Sequence, residues 1–396
     1  MGWLERKTRG VLKPLRRLAA VAPGILRADT TKYPAVVTEF ESAFAAYVGT
    51  QYGLTFCNGT SCLEAALFAI GVGPGDRVIV PAFTFHATIS PALNAGAEVV
   101  FCDLSPGTLN LDLDDFDRKA TPGTKAAIVT HLWGNPADMT AILRIATERG
   151  IPVIEDCSHA HGAEWDGRRV GSHGAIGFFS LQSSKSVSSG GEGGIAVTSD
   201  RMLWERMLLY GHFDRVKGST GNARHLRFGP AGCGHKMRMH PVAAALAMVD
   251  LRDLDRRNEE MREASAALAG ALRAVPGLTL FNEGVARARS GGFFGGFPFV
   301  PPAAGAESVT GTLTALGFRW SKINYRAWHR DPFMRDQRFR SALMAADDAA
   351  LPEPGAELAD DCPKTTAMLD RLLLIELDNV TPGRVAALAS ALGRRR

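Results

Sequence analysis

Ile151 to Thr198 reads IPVIEDCSHAHGAEWDGRRVGSHGAIGFFSLQSSKSVSSGGEGGIAVT, and three short apolar runs divide it. The first, Val153-Ile154, stops at Glu155-Asp156. The second, Ile176 to Phe179, stops at Ser180 and leads to Lys185. The third, Ile195 to Val197, leaves the glycine loop Gly190 to Gly194. Polar residues just beyond short buried strands mark the carboxyl edge of an α/β sheet, where ligands bind. Between Val170 and Ser199 only Lys185 and Glu192 are charged, against about six or seven expected from a chain that is 22% charged. That lone lysine needs a chemical explanation.

Outward from this stretch the same alternation continues. Strand-like runs occur at Arg77 to Val80, Glu98 to Cys102 and Ala126 to His131, with helical segments at about Thr88 to Ala95 and Met139 to Gly150. Strands alternating with helices imply a parallel sheet covered on both faces. Val37, Phe40, Phe44 and Tyr47 recur at helical spacing and predict a first core helix over 36–48. Asn58-Gly59-Thr60-Ser61 opens a helix that runs to about Ile70. Such a start exposes unpaired N–H groups that suit a phosphate, and it is equally explained by a plain cap from Asn58 or Thr60. Beyond Asp200 the chain turns helical. Residues 213–235 read as a loop, Pro241 to about Leu272 as one long helix, Ser290 to Pro302 as a glycine- and phenylalanine-rich stretch, and Glu307 to Leu316 as a helix. These shifts divide the chain into a basic lead-in (1–30), a large domain (31–255) and a smaller α+β domain (256–396).

The chain has 396 residues, 46% of them hydrophobic, enough for a large core. Its net charge of +4 comes largely from the two ends, and no basic stretch is interleaved with aromatics as in a nucleic-acid surface. Six cysteines are scattered without close pairing, as expected of reduced thiols in a cytoplasmic protein. Residues 18–26, LAAVAPGIL, faintly resemble a signal peptide, but the apolar run is short and Pro23 breaks it. No segment approaches transmembrane length.

Burial lowers a lysine's pKa and releases a neutral amine that can form a Schiff base. Pyridoxal 5'-phosphate (PLP) uses that chemistry together with an aspartate on its ring nitrogen and a grip on its phosphate. Each requirement has a candidate: Lys185 for the aldehyde, Asp156 for the ring nitrogen, Ser180 with the backbone of Gly59, Thr60 and Ser61 for the phosphate, and Phe85 for the ring face. No metal site is expected, because the spacing of His159, His161 and His173 matches no strong zinc pattern. A Rossmann dehydrogenase is excluded as well. The glycine cluster Gly71 to Gly75 precedes its strand and lacks the G-x-G-x-x-G spacing.

With these residues in view, the chain resembles the DegT/DnrJ/StrS family of PLP-dependent sugar and aminocyclitol aminotransferases, from about Glu39 to Leu254 and more weakly beyond. NGTSCLEAAL resembles the family's phosphate-binding helix start, and PAFTFHAT the segment that supplies the ring-stacking aromatic, Phe85. CDLSPGTLNLD and THLWGNPADM resemble the landmarks preceding the aspartate strand. EDCSHAHGA assigns Asp156 to the ring nitrogen and His159 to the ring hydroxyl side. FFSLQSSK assigns Ser180 to phosphate and Lys185 to the aldehyde. GHKMRMHP implies that Lys236 reaches a partner subunit's phosphate in a homodimer with a shared active site. YRAWHRDPF places His329 beside the substrate pocket.

The resemblance implies a fold-type I, aspartate aminotransferase-like structure, with a large domain built on a mostly parallel seven-stranded sheet and a smaller α+β carboxyl-terminal domain. It further implies transfer of an amino group from glutamate or glutamine to a keto sugar, nucleotide-linked, or to a keto cyclitol, with no nucleic-acid or membrane partner. Two alternatives stand beside it. One is a dehydratase or an aromatising enzyme like 3-amino-5-hydroxybenzoate synthase; the other is a non-catalytic PLP-binding regulator. Sugar dehydratases of the group carry histidine in place of the lysine, so Lys185 weighs against them. Two departures from the family pattern are visible: SVSSGGEGG is one residue longer than the usual spacing to the glutamate, and Tyr33-Pro34 replaces a glycine-led opening.

Overall fold

The computed structural model describes residues 35–229, 232–281, 285–323, 325–335 and 360–393; the lead-in 1–30 and Tyr33-Pro34 lie outside them. Helix α1 (Ala35–Val48) buries Val37, Phe40 and Phe44 along one stripe, as the spacing predicts. Strand β1 (Tyr52–Phe56) leads to α2 (Gly59–Ile70). There follow β2 (Arg77–Pro81), α3 (Ser90–Asn94), β3 (Glu98–Cys102), α4 (Leu113–Lys119), β4 (Thr124–Thr130), α5 (Met139–Glu148) and β5 (Val153–Asp156). Two short strands, β6 (Glu164–Trp165) and β7 (Arg168–Arg169), precede β8 (Ile176–Ser180) and β9 (Gly194–Thr198).

Seven of these strands form one sheet in the order β1-β9-β8-β5-β4-β2-β3. Strands β2, β3, β4, β5 and β8 pair in parallel, while β9 runs antiparallel to both β1 and β8. The expected mostly parallel sheet of seven strands is therefore present. Alternation along β2 shows that both faces are covered: Val78 and Val80 pack into the cluster holding the α2 side chains, and Ile79 into the cluster holding those of α4 and α5. Each fully buried Phe or Leu in these layers contributes roughly 1.5–3 kcal/mol of transfer free energy.

Beyond the sheet two expectations are corrected. The presumed loop at 213–235 contains short helices α7 (Val216–Ser219) and α8 (Ala223–Phe228), after α6 (Arg201–Gly211). Asn222 starts α8 by accepting the N–H groups of Arg224 and His225, a cap that a polar, glycine-bearing composition conceals. The single long helix is two, α9 (Pro241–Arg252) and α10 (Leu254–Leu272), parted at Asp253, a residue type that favours helix ends over interiors.

A second sheet joins β10 (Thr279–Leu280), β12 (Phe297–Val300), β14 (Leu373–Ile375) and β13 (Trp320–Lys322), all antiparallel, while β11 (Ala288–Arg289) pairs with β6. Its core takes Leu268 and Leu272 of α10, Leu313 of α11 (Ala306–Ala315) and Leu388 of α14 (Pro382–Gly393) against Phe299 and Ile375. Helices α12 (Pro332–Arg335) and α13 (Pro363–Leu369) lie between. Helix α13 is fastened to the large sheet at its amino terminus, where Asp103 accepts the N–H groups of Lys364 and Thr365. No helix among the described residues is long and apolar enough to cross a membrane.

Candidate active site

Strands β4, β5 and β8 end together, and a cavity of about 500 Å³ opens at that edge. Strand geometry sends successive side chains to opposite faces, so Glu155 and Asp156 part company at the end of β5. Asp156 lines the cavity. Its Oδ2 accepts the Thr88 hydroxyl at 2.8 Å and its Oδ1 accepts the Ser158 N–H at 3.0 Å. The Thr84 hydroxyl in turn donates to Thr88 at 3.0 Å. Two rigid donors thus aim the carboxylate into the cavity.

The helix start at α2 is capped from within and also opens onto the cavity. Asn58 caps it, accepting the Ser61 N–H at 2.8 Å. Gly59 and Thr60, the first two helical residues, have no intrahelical acceptor for their N–H groups, and both line the cavity beside Ser180. A Cβ on Gly59 would stand 3.0 Å from that of Ser180, so the helix and β8 meet there without a side chain between them. Ser61 is placed differently from its two neighbours: its N–H donates to Asn58, its hydroxyl lies 3.3 Å from Cys57 Sγ, and it is not a cavity-lining residue.

Lys185 lies on the loop that joins β8 to the antiparallel β9, and its side chain enters the cavity. Burial draws its pKa down to about 8, against the opposing pull of Asp156. Its Nζ sits 3.4 Å from the centre of the Phe294 ring. His159 stacks on the other ring partners, 4.3 Å from Phe294 and 6.5 Å from Trp133. Burial, and then the charge of Lys185, holds His159 well below the ordinary histidine range; its Nδ1 is buried with no hydrogen-bond partner.

Three further predicted residues divide. Phe85 stands at the cavity rim, 48% exposed, against His86. Lys236 is exposed in the single chain and takes no part in lining the cavity. His329 is fully buried, with Nε2 shared between Asp360 and Thr366 at 3.1 Å each, and it is not among the cavity-lining residues. The conformation of that short helical turn points its ring inward against Phe101.

Among the described residues one group has metal-like spacing, His131, Glu155 and Cys157, and its atoms are already committed. His131 Nδ1 accepts the Ala137 N–H, so its Nε2–H donates to Glu155 at 3.1 Å. Glu155 also accepts the N–H groups of Gly171, His173 and Gly174, and burial keeps Cys157 a thiol. Both nitrogens of His131 and both carboxylate oxygens of Glu155 are thus engaged within the fold.

Residues 18–350 match the DegT/DnrJ/EryC1/StrS aminotransferase family. The chain belongs to it. Curated relatives of this DegT-family protein include GDP-perosamine synthase of Escherichia coli O157:H7, 37% identical over 219 residues (55% of this chain and 58% of the relative). Another is L-glutamine:2-deoxy-scyllo-inosose aminotransferase of Streptomyces kanamyceticus, 38% identical over 252 residues (61% and 58%). The chain thus spans a little under three fifths of the length of each. Among solved structures, 3-amino-5-hydroxybenzoic acid synthase superposes with a TM-score of 0.77 at 28% identity, over 95% of this chain and 96% of the other.

The DegT family is PLP-dependent, and the donor set of this cavity fits that group. An amine of lowered pKa, a doubly anchored carboxylate, an orphaned buried imidazole nitrogen and two free N–H groups beside Ser180 face one space. Three contributors went unread in the sequence. Thr88 stood inside the quoted PAFTFHAT, and only its contact with Asp156 reveals its part. Phe294 and Tyr325 line the cavity from the second half of the chain. The density of phenylalanine and glycine at 290–302 was the one signal for the former; nothing marked the latter.

Proposed function

We propose that this protein is an aminotransferase that moves an amino group from glutamate or glutamine to a keto sugar or keto cyclitol. The observation that carries the reading is Lys185, the one lysine among the described residues that line the cavity, buried with Asp156 and with its pKa drawn to about 8. When bound, PLP supplies an aldehyde that accepts amines and a ring that withdraws electrons from the neighbouring carbon. Lys185 would be the residue that holds that aldehyde, and its Nζ, when free, would take the proton from the donor's α-carbon and deliver one to the acceptor's carbon. Asp156, kept in place by Thr88 and Ser158, holds a proton on the ring nitrogen. Gly59, Thr60 and Ser180 bind the phosphate. His159 orients the ring hydroxyl and Phe85 covers one ring face.

The working unit in this reading is a homodimer in which Lys236 of a second copy reaches the phosphate, and the division at 255/256 separates the cofactor-binding from the smaller domain. Six free cysteines fit a cytoplasmic location. The similarity to GDP-perosamine synthase and to a scyllo-inosose aminotransferase supports a keto sugar or cyclitol as acceptor.

The test is to convert the enzyme to its amine form with glutamate or glutamine, remove excess donor, and offer a panel of keto sugars and keto cyclitols. Return of the aldehyde absorbance with one of them, and none in Lys185→Ala, is the expected result. The similarity to 3-amino-5-hydroxybenzoic acid synthase favours an aromatising enzyme as the second reading. Product formed without matching consumption of amino donor would select it.

A further inference from the structure

The ring that faces Lys185 across the cavity, Phe294, comes from the stretch 290–297, outside the large sheet. That stretch is pinned at three points. Gly291 N–H donates to Gly134 O at 3.1 Å, Gly292 N–H donates to Asn258 Oδ1 at 2.9 Å, and the Ser186 hydroxyl, next to Lys185, donates to Gly292 O. A Cβ on Gly291 would fall 2.6 Å from the Ala163 nitrogen. One on Gly292, at φ +78°, would fall 2.5 Å from that of His161. The backbone therefore lies directly on the 159–163 turn, an approach that only glycine permits. The residue it delivers is Phe294, with its ring stacked on His159 and one face 3.4 Å from Lys185 Nζ.

We infer that Phe294 is a positioning residue for Lys185: its ring face seats the amine whenever the amine is free and favours its charged form. The inference rests on Lys185 being the reacting amine. A cation over an aromatic face is attracted by the ring quadrupole, more strongly when desolvated. Burial opposes that charge, so the ring works against the same enclosure it helps to create. The other titratable groups around the amine are Asp156 at the end of β5, Glu192 on the loop before β9, His131 after β4, Tyr325, and the pair His159 and His161, which burial keeps neutral. Asp156 also favours the ammonium, and Glu192 lines the same cavity. The ring adds a fixed seat that neither carboxylate provides, tied through Ser186 to the lysine's own loop.

The test uses full-length enzyme in its amine form, in which Lys185 is free. A pulse of acetic anhydride at a series of pH values, read by mass spectrometry of the Lys185 peptide, gives the titration midpoint of that amine. Phe294→Leu, which keeps apolar volume but removes the ring face, lowers the midpoint by about half to one pH unit. Phe294→Tyr keeps it. Should Phe294→Leu fold poorly by circular dichroism, Phe294→Met makes the same comparison. A midpoint unchanged in a folded Leu or Met variant overturns the proposal, as does a Tyr variant that shifts as far as Leu. Turnover surviving in Lys185→Ala would defeat the assignment of the lysine instead, a separate outcome.

Discussion

Glu155 and Asp156 are neighbours on one strand, carry the same charge and are both buried, yet they belong to different parts of the molecule. Glu155 turns away from the cavity and is surrounded by donors: His131, Gly171, His173 and Gly174. Burial pushes its carboxyl up, but these hydrogen bonds and the neighbouring imidazoles outweigh it and hold the group below the ordinary glutamate range. Asp156 has two donors, and it faces open volume where a further partner can bind. The two-residue period of a strand is what separates a carboxylate enclosed by the fold from one that faces the cavity.

That contrast can be broken by substitution. Asp156→Asn removes charge at the cavity and leaves the buried network whole, so turnover falls by about a thousandfold or more while the melting temperature barely moves. Steady-state kinetics beside a thermal melt checks both halves. An Asn variant that is fully active would erase the distinction.

Glu155→Gln should behave in the opposite sense. An amide in that nest presents N–H to N–H and strands at least one donor, costing about 2–4 kcal/mol in urea unfolding. The sign of the pH effect follows from the lowered pKa. Glu155's contribution is complete above the unfolded carboxyl's value near about 4.3 and is lost as pH falls through the lower folded value. Wild type therefore loses this increment of stability under acid, and the Gln variant shows a flatter dependence over the same window.

The smallest effect is expected at Thr88, which touches only Asp156, the member of the pair that faces the cavity. Thr88→Val removes one of two hydrogen bonds to Asp156, lowering turnover by roughly tenfold and stability by about 1 kcal/mol. A change in stability larger than that in Glu155→Gln would mean that Asp156 is structural after all.

The same two residues show what a reader of the sequence can and cannot see. Short apolar runs ending in Glu155-Asp156 and in Ser180 placed the sheet edge and the lysine loop correctly, because those signals are local. The turn starting α2 was equally legible, as was its double use as cap and open N–H donor. Phe294 and Tyr325 arrive from more than a hundred residues away, and their place depends on backbone contact at Gly291 and Gly292 that no periodicity records. His329 illustrates the converse: a histidine between charged residues gives no sign that its ring turns inward to Asp360 and Thr366. Asp253 parts two helices whose apolar spacing runs on without a break.

The account stands on the amine of Lys185 carrying the cofactor. Borohydride reduction of the yellow, cofactor-loaded protein followed by peptide mass spectrometry tests it directly. A reduced pyridoxyl adduct on the peptide containing Lys185, absent from Lys185→Ala, is the predicted result; an adduct on any other lysine, or none at all, would contradict it.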